Sequence, residues 1–148
     1  MLSLIKTKAG AWWEKNSLAL KTVYMKKVLL IDDDPDVITV LQLLLKKKGY
    51  EVATASREEE AYHQVKAFEP DLIVLDVLLS GVDGRTICKQ LKNSKASKHI
   101  PIIMFSAHPG AQKNMADFGA DDFIPKPFES NKILERIEAQ LSKQKETL

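Results

Sequence analysis

Short apolar runs alternate with longer amphipathic stretches from Met25 almost to the end of the chain. The runs are four or five residues long, and the first, third and fourth consist of aliphatic, Met and Phe residues, which predicts strands. They lie at residues 28–31, 51–55, 72–75, 102–105 and 122–125. The first, third and fourth runs are apolar at every position, as expected for strands that are buried on both faces of a parallel sheet.

An amphipathic helix is predicted after each strand. The first begins at Pro35 behind the capping residue Asp34 and ends at Gly49. Its core face is formed by apolar residues spaced three or four apart, namely Val37, Val40, Leu41, Leu44 and Leu45. A capping box of Ser56 and Glu59 predicts the start of the second helix, which runs to about residue 68.

The remaining helices are assigned from the same spacing. The third passes through Ile87, Cys88 and Leu91, and a weaker fourth helix covers about residues 110–118 before Gly119. The fifth runs from about residue 130 to 143. Because strand and helix alternate strictly and crossovers are right-handed, the sequence predicts a doubly wound α/β domain, a five-stranded parallel sheet with helices on both faces.

The domain is assigned to residues 26–143, with a frayed tail at 144–148. Residues 1–25 form an extension of uncertain order, and Met25 could be an alternative translation start. Two interpretations of Trp12-Trp13 stay open: a loosely packed extension, or an anchor for a membrane surface or a partner.

Composition narrows the function only slightly. The 148 residues carry a formal net charge of +2 without a long block of one sign, which gives no reason to expect a nucleic-acid or membrane partner. The single cysteine, Cys88, excludes an intrachain disulfide and is expected to be a buried apolar residue. No apolar run is long enough to span a membrane, so we expect a cytoplasmic protein.

Polar residues that carry chemistry follow four of the five predicted strands. In an open parallel sheet the reactive site lies beyond the carboxyl ends of the strands. Asp32 and Asp33 follow the first strand, Asp76 the third, Ser106 the fourth and Lys126 the fifth. Carboxylates that meet at one edge repel each other and need a cation, and Mg²⁺ prefers such oxygen ligands.

These groups match the needs of phosphoryl transfer. An Asp carboxylate can accept a phosphoryl group covalently, and a metal ion with Lys126 would neutralise the charge on the phosphoryl oxygens. The hydroxyl of Ser106 can donate a hydrogen bond to one of those oxygens. We therefore expect Asp76 to be the phosphoacceptor.

The chain resembles the receiver domains of response regulators, the phosphorylated modules of two-component signalling. The resemblance spans about residues 26–142, and no single motif carries it alone. The matching segments are 28–34 (VLLIDDD), 70–76 (PDLIVLD), Asp83-Gly84, 102–107 (IIMFSA) and 126–128 (KPF). It implies a flavodoxin-like sheet with strand order 2-1-3-4-5.

The resemblance also implies roles for individual residues. Asp76 would be phosphorylated, and Asp32, Asp33, Asp76 and the backbone carbonyl of Leu78 would hold Mg²⁺, with Mn²⁺ as an alternative. Ser106 and Lys126 would contact the phosphoryl group, and the Lys126–Pro127 bond would be cis. Phe123 would be the aromatic switch residue whose rotamer follows Ser106. The surface of the fourth helix, fifth strand and fifth helix would carry the output.

The implied partners are a sensor histidine kinase or a histidine phosphotransfer protein, and a downstream protein that the sequence does not identify. Since the chain stops after the fifth helix, we expect no direct DNA binding and no multiple-turnover enzyme activity. Phosphorylation-dependent homodimerisation through the output surface is a further expectation.

The chain departs from the family pattern at a few positions near the site. Ser80 stands where many members have proline, and Pro125 before Lys126 is unusual. Leu78 and His108 resemble positions that tune the lifetime of the acyl phosphate. None of these departures removes a required chemical group.

Three other interpretations deserve comparison. A haloacid-dehalogenase-like phosphatase would use Asp32, Asp34, Ser106 and Lys126, but it leaves Asp76 without a role. An EF-hand is rejected because Val37 and Leu43 replace its glycine and its bidentate glutamate. A phosphorylation-independent interaction module on the receiver fold stays open.

Overall fold

The computed structural model describes residues 25–108 and 110–146, without the side chains of 145 and 146. The proposals for the N-terminal extension, including both for Trp12-Trp13, concern residues outside these ranges. The strands are β1 (Lys27–Ile31), β2 (Glu51–Ala55), β3 (Leu72–Asp76), β4 (Ile102–Ser106) and β5 (Asp122–Pro125). The α-helices are α1 (Pro35–Lys47), α2 (Glu58–Phe68), α3 (Gly84–Asn93) and α4 (Ser130–Glu146).

The five strands form one parallel sheet in the order β2-β1-β3-β4-β5, which confirms the predicted fold class and strand order. The register pairs Asp76 of β3 with Phe105 of β4, and Ser106 of β4 with Pro125 of β5. Three neighbouring strands therefore end at the same edge, and their polar residues lie at that edge.

Two apolar layers cover the two faces of the sheet. On one face, Leu75 and Met104 belong to a buried cluster with residues of α2 and α3, such as Ala61 and Ile87. On the other face, Val74 packs in a cluster with residues of α1 and α4. Alternate residues of each central strand enter opposite layers, which explains why those strands are apolar throughout.

The predicted fourth helix is wrong in type. The segment forms two 3₁₀ helices, Ala111–Asn114 and Ala116–Phe118, and Gly119 ends them with a φ of +84°. Within this segment Ala111 and Met115 are buried, so its apolar face is too narrow to anchor a long α-helix. Short 3₁₀ turns are a common way to connect elements in such cases.

Three smaller predictions about helices need correction. The capping box of Ser56 and Glu59 is wrong, because the backbone N–H of Ser56 donates to Glu60 (3.1 Å) and Arg57 is the N-cap. Val40 is 50% exposed and lies outside the core face of α1. Finally, α4 continues to Glu146, beyond the predicted end of the last helix at about residue 143.

A two-stranded ribbon after β3 was not foreseen. Leu78–Leu79 pairs with Val82–Asp83 in antiparallel fashion, and the turn between them has positive φ at Ser80 (+49°) and Gly81 (+80°). Positive φ at both central positions is typical of the type I′ turn of tight hairpins. The ribbon returns the chain to β3, where the backbone N–H of Gly84 donates to the carbonyl oxygen of Val77.

Gly84 is required by this close approach. A Cβ at residue 84 would overlap the carbonyl oxygen of Asp76, so we expect Gly84→Ala to destabilise the fold by about 3 kcal/mol. Gly49→Ala is the control: Gly49 has a φ of +93°, but a Cβ at residue 49 would meet nothing within 4 Å and should cost only about 1 kcal/mol. Urea denaturation measures both, and equal losses would contradict the steric argument.

Candidate functional site

Three carboxylates meet at the carboxyl edge of the sheet. One oxygen from each of Asp32, Asp33 and Asp76 lies within 4.8 Å of the others, a spacing at which a metal ion could be held. Asp32 and Asp76 are buried, whereas Asp33 is exposed. The parallel register of β1 and β3 causes this convergence, because both strands end at the same level beside each other.

Lys126 provides the positive charge of the cluster. Its Nζ lies 3.0 Å from Oδ2 of Asp32, 3.4 Å from Oδ2 of Asp76 and 4.4 Å from the ring centroid of Phe105. The backbone N–H of Lys126 donates to the carbonyl oxygen of Ser106, and the Lys126–Pro127 bond is cis, as the resemblance implies. The lysine is thus fixed at both its backbone and its ammonium group.

Asp76 is held in an environment that disfavours its charge. Burial, followed by the neighbouring carboxylate of Asp32, raises the pKa of Asp76 to about 6, although the ammonium group of Lys126 acts in the opposite direction. The backbone N–H of Leu78 donates weakly to its Oδ1 at 3.4 Å. One ammonium group therefore offsets only part of the cost of burial and of the repulsion from Asp32.

The donor set fits a hard divalent cation. Carboxylate oxygens are the preferred ligands of Mg²⁺ and Mn²⁺, and the partly solvated position of Asp33 leaves room for retained water. A cation here would also supply the charge that Lys126 alone does not. Asp32, Asp33 and Asp76 are the side chains that could hold it.

The acidic cluster lines an open cleft of about 810 Å³. Ser106 reaches this cleft and is buried, and its Oγ accepts a hydrogen bond from the backbone N–H of His108 at 3.0 Å. Leu78, with 67% of its surface exposed, and His108 also line the cleft. A phosphoryl-sized group could therefore reach Asp76 from solvent.

Phe123 lies apart from the cleft. It is buried on the α2–α3 face of the sheet and pairs in register with Met104 of β4. Met104 is two residues before Ser106, so Phe123 is connected to the site through β4 rather than through a direct polar contact. Its assignment as a switch residue stays a prediction.

The contacts of Arg85 with Asp83 and Phe118 are not predicted from the sequence. Its guanidinium donates to both carboxylate oxygens of Asp83, with the shortest distance 2.7 Å, and lies 5.4 Å from the ring centroid of Phe118. The guanidinium of Arg85 lowers the pKa of Asp83, which is also the N-cap of α3. The Asp-Gly-Arg order gives no signal for the contact with Phe118, which exists only after folding.

The comparisons with known proteins agree with the fold. The family model of the response regulator receiver domain matches residues 28–138. The chain belongs to this family. Asp34, which the phosphatase interpretation requires in the site, lines the cleft, but its side chain caps α1 by accepting a hydrogen bond from the backbone N–H of Asp36.

Individual proteins of known sequence or structure are also similar to this chain. The chain is 41% identical over 118 residues to the alkaline phosphatase synthesis transcriptional regulatory protein PhoP of Bacillus subtilis, with 78% of this chain and 48% of that protein covered. The chain thus spans about half the length of that curated relative. It also resembles a response-regulator structure from Chloroflexus aurantiacus with 36% identity and a TM-score of 0.75, covering 80% of this chain and 98% of the other.

A third relative shares the fold at lower identity. It is the receiver domain of a sensor histidine kinase from Pseudomonas aeruginosa, 23% identical with a TM-score of 0.73, and 80% of this chain and 98% of that chain are covered. That structure holds a magnesium ion in its active-site cleft. In the part of this chain that the structure describes, no helix is long and apolar enough to cross a membrane.

The raised pKa of Asp76 predicts a pH-dependent stability. An unfolded Asp ionises near pH 3.8, whereas the folded pKa is about 6, so the folded state loses stability as the pH rises through this window. In chelated buffer we expect Asp76→Asn to be more stable than wild type above pH 6, by up to about 3 kcal/mol, and the difference to vanish near pH 4.

Urea denaturation between pH 4 and pH 8 measures this difference. Asp83→Asn is the control with the opposite sign, because the pKa of Asp83 is lowered and its charge stabilises the fold at higher pH. Parallel stability curves for wild type and Asp76→Asn would show that burial does not penalise the Asp76 carboxylate.

Proposed function

We propose that this chain accepts a phosphoryl group on Asp76 from a phosphohistidine of a sensor histidine kinase or phosphotransfer protein. The observation that carries the proposal is the contact of the Asp76 carboxylate with Lys126 at 3.4 Å, inside a cluster with Asp32 and Asp33. Membership of the receiver family supports it, because that family is a phosphoacceptor signalling module.

In the proposed reaction, an Asp76 carboxylate oxygen attacks the phosphorus of the phosphohistidine. The P–O bond forms, the P–N bond breaks, and the released imidazole nitrogen takes up a proton. Lys126 attracts the phosphoryl oxygens, and the hydroxyl of Ser106, which lines the cleft, can donate a hydrogen bond to one of them. Positioning and charge neutralisation are the main requirements of such a transfer.

The proposed metal ligands are the carboxylates of Asp32, Asp33 and Asp76, with the backbone carbonyl of Leu78 as a further ligand. Mg²⁺, or Mn²⁺ in its place, would supply the positive charge that phosphoryl oxygens need when they enter a site with three carboxylates. The magnesium ion in the cleft of the Pseudomonas aeruginosa receiver domain supports this choice.

The signal is proposed to leave through the surface formed by the 3₁₀ segment, β5 and α4. Ser106 turning towards the phosphoryl group would release space next to β5, and Phe123 would change rotamer in response. The buried position of Phe123 beside Met104 supports such a coupling. The surface would bind a downstream protein or a second copy of this chain.

Direct DNA binding is not expected from residues 25–146, which form the receiver domain. The relative in Bacillus subtilis is a transcriptional regulatory protein, and this chain covers only 48% of it. Output through protein contact is proposed for this domain. The proposal is for a phosphoacceptor and not for a multiple-turnover enzyme.

The decisive experiment is labelling with acetyl phosphate in the presence of Mg²⁺. Intact-mass spectrometry should show one added phosphoryl group on wild type and none on Asp76→Asn or in EDTA. Asp83→Asn is the matched control, since it changes an aspartate that lines the same cleft outside the acidic cluster, and it should still be labelled. Folded wild type that stays unlabelled would favour the phosphorylation-independent module, and repeated turnover of a phosphate ester would favour a phosphatase.

The lifetime of the phosphorylated form should depend on Leu78 and His108. Nδ1 of His108 accepts a hydrogen bond from the backbone N–H of Gly110 at 3.2 Å, so the neutral ring carries its proton on Nε2. In that tautomer the ring can donate a hydrogen bond into the cleft but cannot take a proton from an attacking water. We therefore expect both side chains to obstruct hydrolysis.

Leu78→Ala and His108→Ala should each lose the phosphoryl group faster than wild type, as timed by mass spectrometry after removal of acetyl phosphate. Leu43→Ala is the matched control, because Leu43 is also 67% exposed but lies on α1 outside the cleft. If His108 were a general base, its loss would slow hydrolysis by about 100-fold, the opposite direction.

A further inference from the structure

Ser80 connects the loop after β3 to the acidic cluster. Its backbone N–H donates to Oδ2 of Asp33 at 3.0 Å, and its hydroxyl lies 3.4 Å from the same oxygen. The hydroxyl also lies 3.5 Å from the carbonyl oxygen of Ser56, which follows β2. Three chain segments at the sheet edge thus meet at one serine.

The backbone conformation of Ser80 is what permits these contacts. Its φ of +49° is left-handed, a conformation that is unfavourable for a non-glycine residue. Proline could not occupy this position in the same way, because its ring fixes φ near −65° and removes the N–H. A chain with proline here would lack both contacts to Asp33.

The orientation of the Asp33 carboxylate depends on such hydrogen bonds more than the orientations of Asp32 and Asp76 do. Asp33 is exposed, whereas Asp32 and Asp76 are buried and both contact Lys126. Asp32 also accepts a hydrogen bond from the backbone N–H of Asp34 at 2.9 Å. While Ser80 is bonded to it, Asp33 already presents an oxygen within 4.8 Å of the other two carboxylates. Hydrogen bonds to a ligand side chain commonly set its orientation and the metal affinity.

We infer that Ser80 is a positioning residue for the divalent cation, which holds Asp33 in its ligand orientation and so sets the metal affinity of this chain. The inference rests on the proposed function, since it assumes that the acidic cluster binds Mg²⁺. It adds that the affinity depends on a residue outside the ligand set.

The test is titration of the unphosphorylated full chain with Mg²⁺ by isothermal calorimetry. Ser80→Gly keeps the N–H and the positive φ but removes the hydroxyl, and should weaken Mg²⁺ binding by about threefold. Ser80→Pro removes both contacts and should weaken it by about tenfold or more. Glu69→Gly is the matched control, because Glu69 also has a left-handed φ, of +52°, and lies outside the acidic cluster.

A second measurement separates positioning from a general structural role. Acetyl phosphate labelling of Ser80→Gly should need more Mg²⁺ for half-maximal rate but reach the wild-type rate at saturation. Wild-type Mg²⁺ affinity in Ser80→Gly and in Ser80→Pro would overturn the inference, as would an equal loss in Glu69→Gly. If Ser80→Pro does not fold, Ser80→Gly decides alone. If wild type itself binds no Mg²⁺, the metal site of the proposed function fails as well.

Discussion

Electrostatic repulsion among Asp32, Asp33 and Asp76 is the constraint around which this structure is arranged. Like charges this close cannot all ionise cheaply away from bulk water. Lys126 stabilises two of the carboxylates through contacts of 3.0 and 3.4 Å, yet burial, followed by the charge of Asp32, still raises the pKa of Asp76 to about 6. The remaining imbalance makes the site receptive to a cation and to the chemistry that a cation permits.

The parallel sheet holds this unfavourable arrangement in place. The apolar residues of β1, β3 and β4 are buried in two layers, so the carboxyl ends of these strands cannot separate without exposing the core. Close backbone contacts strengthen the edge further: Gly84 lies against the carbonyl of Asp76, and Ser80 bonds to Asp33. The stability of the core thus maintains a site that is itself destabilising, as is common for functional sites.

The proposed coupling between the cleft and the output surface would run through β4 and β5. Ser106 ends β4 and Phe123 packs against the same strand two residues earlier, on the face that carries α3 and the 3₁₀ segment. That segment has a short apolar face and only 3₁₀ turns. It is therefore an element that a small change at β4 could rearrange at low cost, in keeping with the proposed output surface.

The sequence by itself determined the alternation of strands and helices, the fold class and the residues at the carboxyl ends of the strands, because local periodicity and parallel topology fix these. Tertiary structure alone decided the 3₁₀ form of residues 111–118, the ribbon after β3, and the contacts of Arg85 with Phe118 and of Ser80 with Asp33. The contacts of Arg85 and Ser80 join residues that are far apart in the chain, and no local pattern encodes them. In the sequence, Ser80 is notable only because many members of the family have proline at this position. The folded structure is needed to show that its backbone N–H donates to the carboxylate of Asp33.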